Sequence, residues 1–333
     1  MEKDIELITK LNSEWRLKEI KVIKAGGQTN RNWIVKHKGK RFFVRFPWER
    51  TDIVDRKIEG RNILAISRSK KLIGVVPRFF VYVLGGKNIL NPKEKLSFPD
   101  GTMVMEHIEG RDINGRDLER EKYQRGLVNT LYKFHASGVR FVNVYDVFHD
   151  EVLKYRRKAK KYPIGKLLNK TKVDIIEKIE EVIKRSFYLA GKISTHNDLI
   201  FENLRLGKDG KIYILDFEYA GYNVRDGLHY DLGIILGGNL FYRKPISLKS
   251  FEEFLEKAKK RYKKNLVSKN VYRGALANVL VMFWWGIIKY FSSKTKAEKK
   301  YFKHYVLARA KGIEALSKFV DEKNKALRGV EKR

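Results

Sequence analysis

The chain contains no cysteine, which excludes disulfides, zinc–thiolate centres and cysteine nucleophiles and suits the cytoplasm. Glutamine is nearly missing, with only Gln28 and Gln124, and this scarcity beside abundant lysine points to a thermophile, although asparagine is retained. No apolar run is long enough for a bilayer: the longest, about Ala275 to Ile288, is interrupted by Asn278. Met1 to Glu6 is too charged for a signal peptide, so neither a membrane partner nor an export route is expected. There is no internal repeat and no Pro- or Ser-rich linker. Acidic residues are also scarce, 39 Asp and Glu against 72 Lys and Arg, giving a formal net charge of +33. What remains is ordinary for a globular chain: 333 residues, 43% apolar and 12% aromatic, can bury a sizeable core in one large or two modest domains.

The densest chemical signal is His196-Asn197-Asp198-Leu199-Ile200-Phe201-Glu202-Asn203, followed by Asp216-Phe217-Glu218. An Asp five residues before an Asn, and a second Asp beyond a hairpin, is the spacing of kinase-type phosphotransferases. Asn203 to Leu206 and Ile212 to Leu215 flank the turn-forming Gly207-Lys208-Asp209-Gly210, so a hairpin is expected between Asn203 and Asp216. Phosphoryl transfer needs charge neutralisation and positioning, hence hard oxygen ligands for Mg²⁺. Asn203 and Asp216 are the candidate metal ligands, and Asp198 is the candidate acceptor of the attacking hydroxyl's proton. These three form the candidate catalytic set.

Upstream, Ile20–Ile23, Asn32–Val35 and Arg41–Phe46 read as strands. Between the first two lies Ala25-Gly26-Gly27-Gln28-Thr29-Asn30, whose glycines permit close backbone approach to phosphates although the P-loop pattern is lacking. A helix is expected from Asp52 to Ser67, capped by Thr51 or Asp52. Kinase folds pair a strand base with a helix Glu to grip nucleotide phosphates, which selects Arg45 and Glu59. Thr102 to Gly110 reads as a buried strand leaving the first lobe, with Met105, Glu106 and His107 where an adenine-binding hinge would lie. Beyond it a helix is expected over Asp117 to Ala136, with His135 in the core, and another from Leu228, where Asp231 either braces the catalytic loop or caps the helix. Gly26, Gly27, Thr29, Asn30, Arg45, Glu59, Met105, Glu106 and His107 form the expected nucleotide site.

The positive excess is clustered. Lys154 to Lys172 holds nine Lys or Arg and no acid, Lys257 to Arg273 holds eight and none, and a third cluster spans Lys289 to His304. Tyrosines and other aromatics are threaded through all three, a composition suited to RNA, with cations for phosphates and rings for bases. Arg156, Arg157, Lys158, Lys160, Lys161, Lys260, Arg261, Lys263 and Lys264 are the expected contacts; solvated helix faces with inward tyrosines are the bland alternative.

The segments His196 to Asn203, Asp216 to Tyr219, Gly26 to Asn32 and Met105 to Gly110 resemble the choline kinase and aminoglycoside phosphotransferase superfamily, over most of the chain. Phe283-Trp284-Trp285-Gly286-Ile287-Ile288 is similar to the tryptophan-bearing helix of choline kinases. The resemblance implies an α+β, two-lobed kinase-like fold, with a β-rich nucleotide-binding lobe over residues 1–105 and a helical catalytic lobe over 106–333. It also implies ATP and Mg²⁺, with Asp198 as base; the sequence leaves open whether GTP substitutes for ATP. No activation loop or A-P-E motif is evident, which argues against a protein substrate. So basic a surface would repel choline, ethanolamine and aminoglycosides. The combination is similar to that of archaeal tRNA kinases, so the expectation is phosphorylation of RNA, at a ribose 2′-hydroxyl of tRNA, with a choline- or ethanolamine-type small-alcohol kinase as the alternative.

Overall fold

Period-two alternation of apolar side chains shapes the start of the chain: Trp33 and Val35 of one strand are buried while Arg31, Asn32 and Ile34 are only half-buried. The computed structural model describes residues 2–12, 15, 18–25, 30–47, 55–186, 193–241 and 243–330. Its elements run α1 (Glu2–Lys10), β1 (Ile20–Ala25), β2 (Asn30–His37), β3 (Lys40–Pro47), α2 (Arg56–Ser67), β4 (Phe79–Leu84), β5 (Lys87–Asn88), β6 (Met103–Glu106) and β7 (Gly110–Asp112). Then follow α3 (Glu121–His135), β8 (Val144–Tyr145), α4 (Leu153–Ala159), α5 (Lys170–Ser186), β9 (Ile193–Thr195), β10 (Leu204–Gly207), β11 (Ile212–Ile214) and β12 (Gly221–Asn223). Four helices complete it: α6 (Gly227–Gly237), α7 (Leu248–Tyr262), α8 (Ser268–Ser292) and α9 (Lys296–Val330). The fold is α+β, as expected.

Backbone packing divides the chain into two units. The first is Met1–Arg111, Ala136–Asn143 and Arg205–Ala220; the second is Asp112–His135, Val144–Leu204 and Gly221–Arg333. A single cut at residue 105 therefore does not describe the division. The hairpin goes with the first unit because its strands extend β7, in the order β11-β10-β7.

In the first unit a six-stranded sheet of order β1-β2-β3-β6-β4-β5 carries α1 on one face. Ile8 and Leu11 of α1, with Trp15, pack on Trp33, Val35, Val44, Val83 and Val104. Helix α2 starts after Asp55, whose carboxylate accepts the backbone N–H groups of Lys57 and Ile58 at 2.9 and 3.1 Å. The expected caps Thr51 and Asp52 lie outside the described residues. The expected strand over Thr102 to Gly110 stops at Glu106, and Gly110 opens β7 instead. A Cβ on Gly110 would sit 2.0 Å from the Leu206 carbonyl oxygen, so glycine is what lets these strands approach.

In the second unit α8 is central, and α6 crosses it at glycines: a Cβ on Gly233 would lie 2.4 Å from the Ala275 nitrogen, and one on Gly274 2.4 Å from the His229 oxygen. Helix α8 is long and apolar enough to cross a membrane by length and composition, but 72% of that apolar window is buried inside the protein. Asn278, which interrupts the apolar run, is accommodated within the core, its Nδ2 3.5 Å from the Tyr230 hydroxyl. The helix expected from Asp117 begins as a 3₁₀ turn over Asp117–Glu119, and α3 proper starts at Glu121.

Candidate active site

In the first unit, Arg45 on β3 and Glu59 on α2 are brought together by the fold. Arg45 Nη1 lies 2.7 Å from Glu59 Oε1, with side chains only 4% and 1% exposed, so this is a core ion pair. Burial works against both charges. For Arg45 the neighbouring Glu59 carboxylate outweighs it and raises the proton affinity; for Glu59 burial is outweighed by Arg45 and then Arg56, which hold the carboxyl below its ordinary range. Arg56 Nη1 lies 2.8 Å from Glu59 Oε2, and its Nη2 donates to Asn30 Oδ1 at 2.9 Å. The Tyr82 hydroxyl donates to Glu59 Oε2 at 2.8 Å. Sequence inspection missed Arg56 and Tyr82; the signal for Arg56 is its position one helical turn before Glu59.

Asp216 and Glu218 stand beyond β11 in the same unit. Asp216 adopts a left-handed backbone, φ +58°, uncommon for a non-glycine residue although Asp tolerates it better than most. Burial, then the Asp216 and Glu59 charges, pushes the Glu218 carboxyl up to about 8. Arg56 Nη1 lies 3.8 Å from Glu218 Oε2. Among the described residues, Glu218 Oε2 accepts no hydrogen bond. Of the other residues expected to hold nucleotide, Gly26, Gly27 and Thr29 lie outside the described residues, and Asn30 is buried beneath Arg56. Met105 is buried, Glu106 is exposed and accepts the Arg78 N–H, and His107 is half-buried at the end of β6. Burial, then Arg205 and Arg41, hold the His107 imidazole below its ordinary range.

The second unit carries the catalytic loop after β9. Asp231, fully buried on α6, accepts the His196 N–H at 2.8 Å and the Asn197 N–H at 2.7 Å. It braces the loop, while the cap position of α6 belongs to Asp226. His135 Nε2 lies 3.0 Å from Asp231 Oδ2 and its Nδ1 2.8 Å from the Tyr262 hydroxyl, so His135 is a core residue with a positioning contact. Asn197 takes φ +66°, and the loop turns so that Asn203 Nδ2 donates to the Asp198 carbonyl at 2.8 Å and to Asp198 Oδ2 at 2.9 Å. Asn239 closes the other side, its Oδ1 accepting the Phe201 N–H at 2.8 Å. Asp198 is thus a carboxylate fixed by an amide, the geometry of an oriented proton acceptor.

The basic clusters do not form the expected RNA surface. Several of their tyrosines turn inward: Tyr155 and Tyr262 are buried, and Tyr162 stacks on Phe291 at 5.0 Å, while Tyr301 of the third cluster stays exposed. Arg156 is tied to buried Glu180 at 2.8 Å and Lys160 to Glu177 at 2.8 Å. Arg157 bonds the Leu153 carbonyl, and Arg261 lies 4.2 Å over Tyr132. Lys260 and Arg261 line a 740 Å³ depression that mixes four glutamates, Glu121, Glu252, Glu253 and Glu256, with the further cations Arg125, Lys249 and Lys257. Lys158, Lys161, Lys263 and Lys264 are solvent-exposed, without stacking partners of the kind RNA binding asks for.

The family model described as choline/ethanolamine kinase matches residues 79–245. The chain belongs to the choline/ethanolamine kinase family. Protein LicA of Haemophilus influenzae is 26% identical over 204 residues, 60% of this chain and 53% of LicA, so the chain spans about half the length of that relative. The crystal structure of choline kinase LicA from Streptococcus pneumoniae superposes with a TM-score of 0.68 at 18% identity, covering 95% of this chain and 98% of that one. A structure of LicA in complex with AMP gives 0.66 at 18% identity, covering 95% and 98%. Family membership overturns the expectation of an RNA kinase with a tRNA partner: the similar proteins are choline and ethanolamine kinases, and two of the tyrosines on which the RNA expectation rested, Tyr155 and Tyr262, are buried.

Proposed function

We propose that the protein is an ATP-dependent kinase of a small alcohol, with choline- and ethanolamine-type amino alcohols as the first acceptors to test. The observation that carries this is Asp198, oriented by Asn203 on a loop braced by Asp231. Family membership and the AMP-bound relative support the nucleotide and acceptor classes. The acceptor oxygen forms a bond to Pγ while the bond from Pγ to the β–γ bridging oxygen breaks. ADP leaves, and the hydroxyl proton passes to Asp198 and then to water.

The first unit holds the nucleotide in this reading. Arg45, fixed by Glu59, presents a permanent cation to the phosphates, and the end of β6 from Met105 to His107 faces the base. In the first unit Asp216 offers a carboxylate, and in the second unit Asn203 offers an amide oxygen, each a hard donor of the kind Mg²⁺ takes. The residues present fit such an ion, since Glu218 beside Asp216 is a buried carboxyl with an unsatisfied oxygen and a proton affinity raised by burial and then by the Asp216 and Glu59 charges. Bound there, Mg²⁺ would neutralise charge on the phosphate oxygens.

The test is γ-labelled ATP with Mg²⁺ and single acceptors, following phosphoester and ADP together. The expected result is acceptor-dependent ADP release that Asp198→Asn lowers about 10²–10⁴-fold. Folded wild-type protein that transfers phosphate to no small alcohol would overturn the proposal.

A further inference from the structure

Within the first unit Glu59 is shared between two guanidinium groups, and its two oxygens are not equivalent. Oε1 faces Arg45 Nη1 at 2.7 Å, whereas Oε2 accepts from Arg56 Nη1 at 2.8 Å. The last torsion of a glutamate side chain is broad, so a carboxylate held at one oxygen alone can swing. Tyr82 also reaches Oε2, at 2.8 Å, but its hydroxyl lies 2.9 Å from the Arg56 carbonyl and has one proton for the two acceptors. Arg56 is therefore the dedicated donor that fixes the Glu59 carboxylate and, through it, the direction of the Arg45 guanidinium.

The other arm of the fork reaches the sheet. Arg56 Nη2 donates to Asn30 Oδ1 at 2.9 Å, and Asn30 opens β2 directly after residues 26–29, the segment expected to approach phosphates. The stem is pinned as well: a Cβ on Gly101, which has φ +90°, would lie 2.6 Å from Arg56 Cδ, and the Gly101 carbonyl accepts Arg45 Nη2 at 3.3 Å. The same face of α2 holds the chain beyond β11. Arg56 Nη1 approaches Glu218 Oε2 at 3.8 Å, and Asn62, fully buried one turn past Glu59, donates from Nδ2 to the Ala220 carbonyl at 2.9 Å. Against burial, Glu59 and then Tyr82 and Asp216 raise the proton affinity of Arg45, so Asp216 lies within electrostatic reach of that cation.

Stability alone does not call for this arginine. A cation buried between a carboxylate and an amide gives up hydration that an apolar side chain in the same place would not. What only a planar fork can do is set two partners at one spacing. We propose that Arg56 is a positioning residue for nucleotide binding: bonded to Glu59 and Asn30 at once, it aligns Arg45 with the end of the 26–29 segment before the phosphates arrive. It touches no reacting atom itself. This rests on the kinase reading and deepens its nucleotide site.

A double-mutant cycle between Arg56→Gln and Asn30→Ala tests it, with Arg56→Lys alongside and each variant checked for a cooperative thermal transition. KM for ATP should rise about tenfold in each single variant while KM for the amino alcohol holds, and the double variant should be little worse than either, because one bridge is cut from both ends. Arg56→Lys keeps the charge but gathers its donors on one nitrogen, so it should recover only part of the loss. Asn30→Ala leaves the Arg45–Glu59 pair whole and keeps the test open should Arg56→Gln not fold. A binding arm needs no turnover: the calorimetric Kd for ADP should rise by a similar factor in the same variants. ATP and acceptor constants that rise together, additive losses in the double variant, or ADP affinity equal in all the proteins would overturn the positioning role. Wild type that transfers phosphate to no acceptor, yet loses ADP affinity through Arg56→Gln, would sink the kinase reading and leave Arg56 in its role.

Discussion

Asp198→Asn keeps the volume of the side chain and an oxygen for the Asn203 amide, yet removes the proton acceptor. Transfer should fall about 10²–10⁴-fold with little change in the melting midpoint; near-wild-type turnover would remove Asp198 from the chemistry. Glu59 tests the other unit. Glu59→Ala leaves Arg45 and Arg56 buried without their carboxylate, so urea unfolding should show a loss of about 3–5 kcal/mol. Because its carboxyl is held below the ordinary range, the Glu59 contribution is present above the ordinary carboxylate pH and is lost as pH falls through the depressed value. Glu218 runs the opposite way. Raised from 4.5 to about 8, it binds a proton in the folded protein that the unfolded chain has released. Its contribution is therefore complete below about pH 4.5 and lost as pH rises through about 8. Melting midpoints at several pH values across that window should decline less in Glu218→Gln than in wild type; identical slopes would refute the assignment. At this scale the local spacing Asp198, Asn203, Asp216 was legible, because a loop and a hairpin define it within the chain. Arg56 and Tyr82 were not: only folding brings a tyrosine on β4 and an arginine on α2 to the same carboxylate.

Elements place those residues, and their limits are set by close approach. The hairpin β10–β11 was legible from turn chemistry, and Gly210 indeed turns with φ +78° while Asp209 accepts the Lys211 N–H at 3.1 Å. The strand through Glu106 was read too long because hydrophobicity continues past the point where Gly110 must meet the Leu206 backbone. Brace and loop meet across distant sequence, so whether Asp231 braces or caps was undecidable from spacing alone. The α6–α8 crossing turns this into a prediction. Gly233→Ala puts a methyl 2.4 Å from backbone that cannot yield as a side chain would. It should cost about 1–3 kcal/mol in urea unfolding and lower kcat, because α6 carries Asp231. Gly165→Ala, with nothing within 4 Å of its added Cβ, is the control. Equal stability of the two variants would show that the helices part freely.

For the whole molecule, the motif resemblance gave the α+β class, while composition misled about the partner. Charge counts do not show which way a tyrosine faces, and Tyr155 and Tyr262 face the core. The excess charge nevertheless has a physical consequence. With +33 on one chain, cations repel across the folded surface more than in the expanded unfolded chain, so folding works against self-repulsion. Salt shortens the reach of that repulsion, the screening length falling from about 30 Å at 0.01 M to about 10 Å at 0.1 M. Exposed ion pairs such as Lys259–Glu256 weaken under the same screening, but each contributes little, on the order of 0–1 kcal/mol. Repulsion among the unpaired lysines should dominate, so the melting midpoint should rise from about 10 to 300 mM NaCl, by roughly 2–4 °C per kcal/mol relieved. Sodium chloride is the right salt, because sulfate would also strengthen apolar burial and hide the electrostatic part. A midpoint that stays flat or falls would mean that pairs such as Arg156–Glu180 and Lys160–Glu177 already balance the clusters locally, and that the net charge exerts no long-range field on folding.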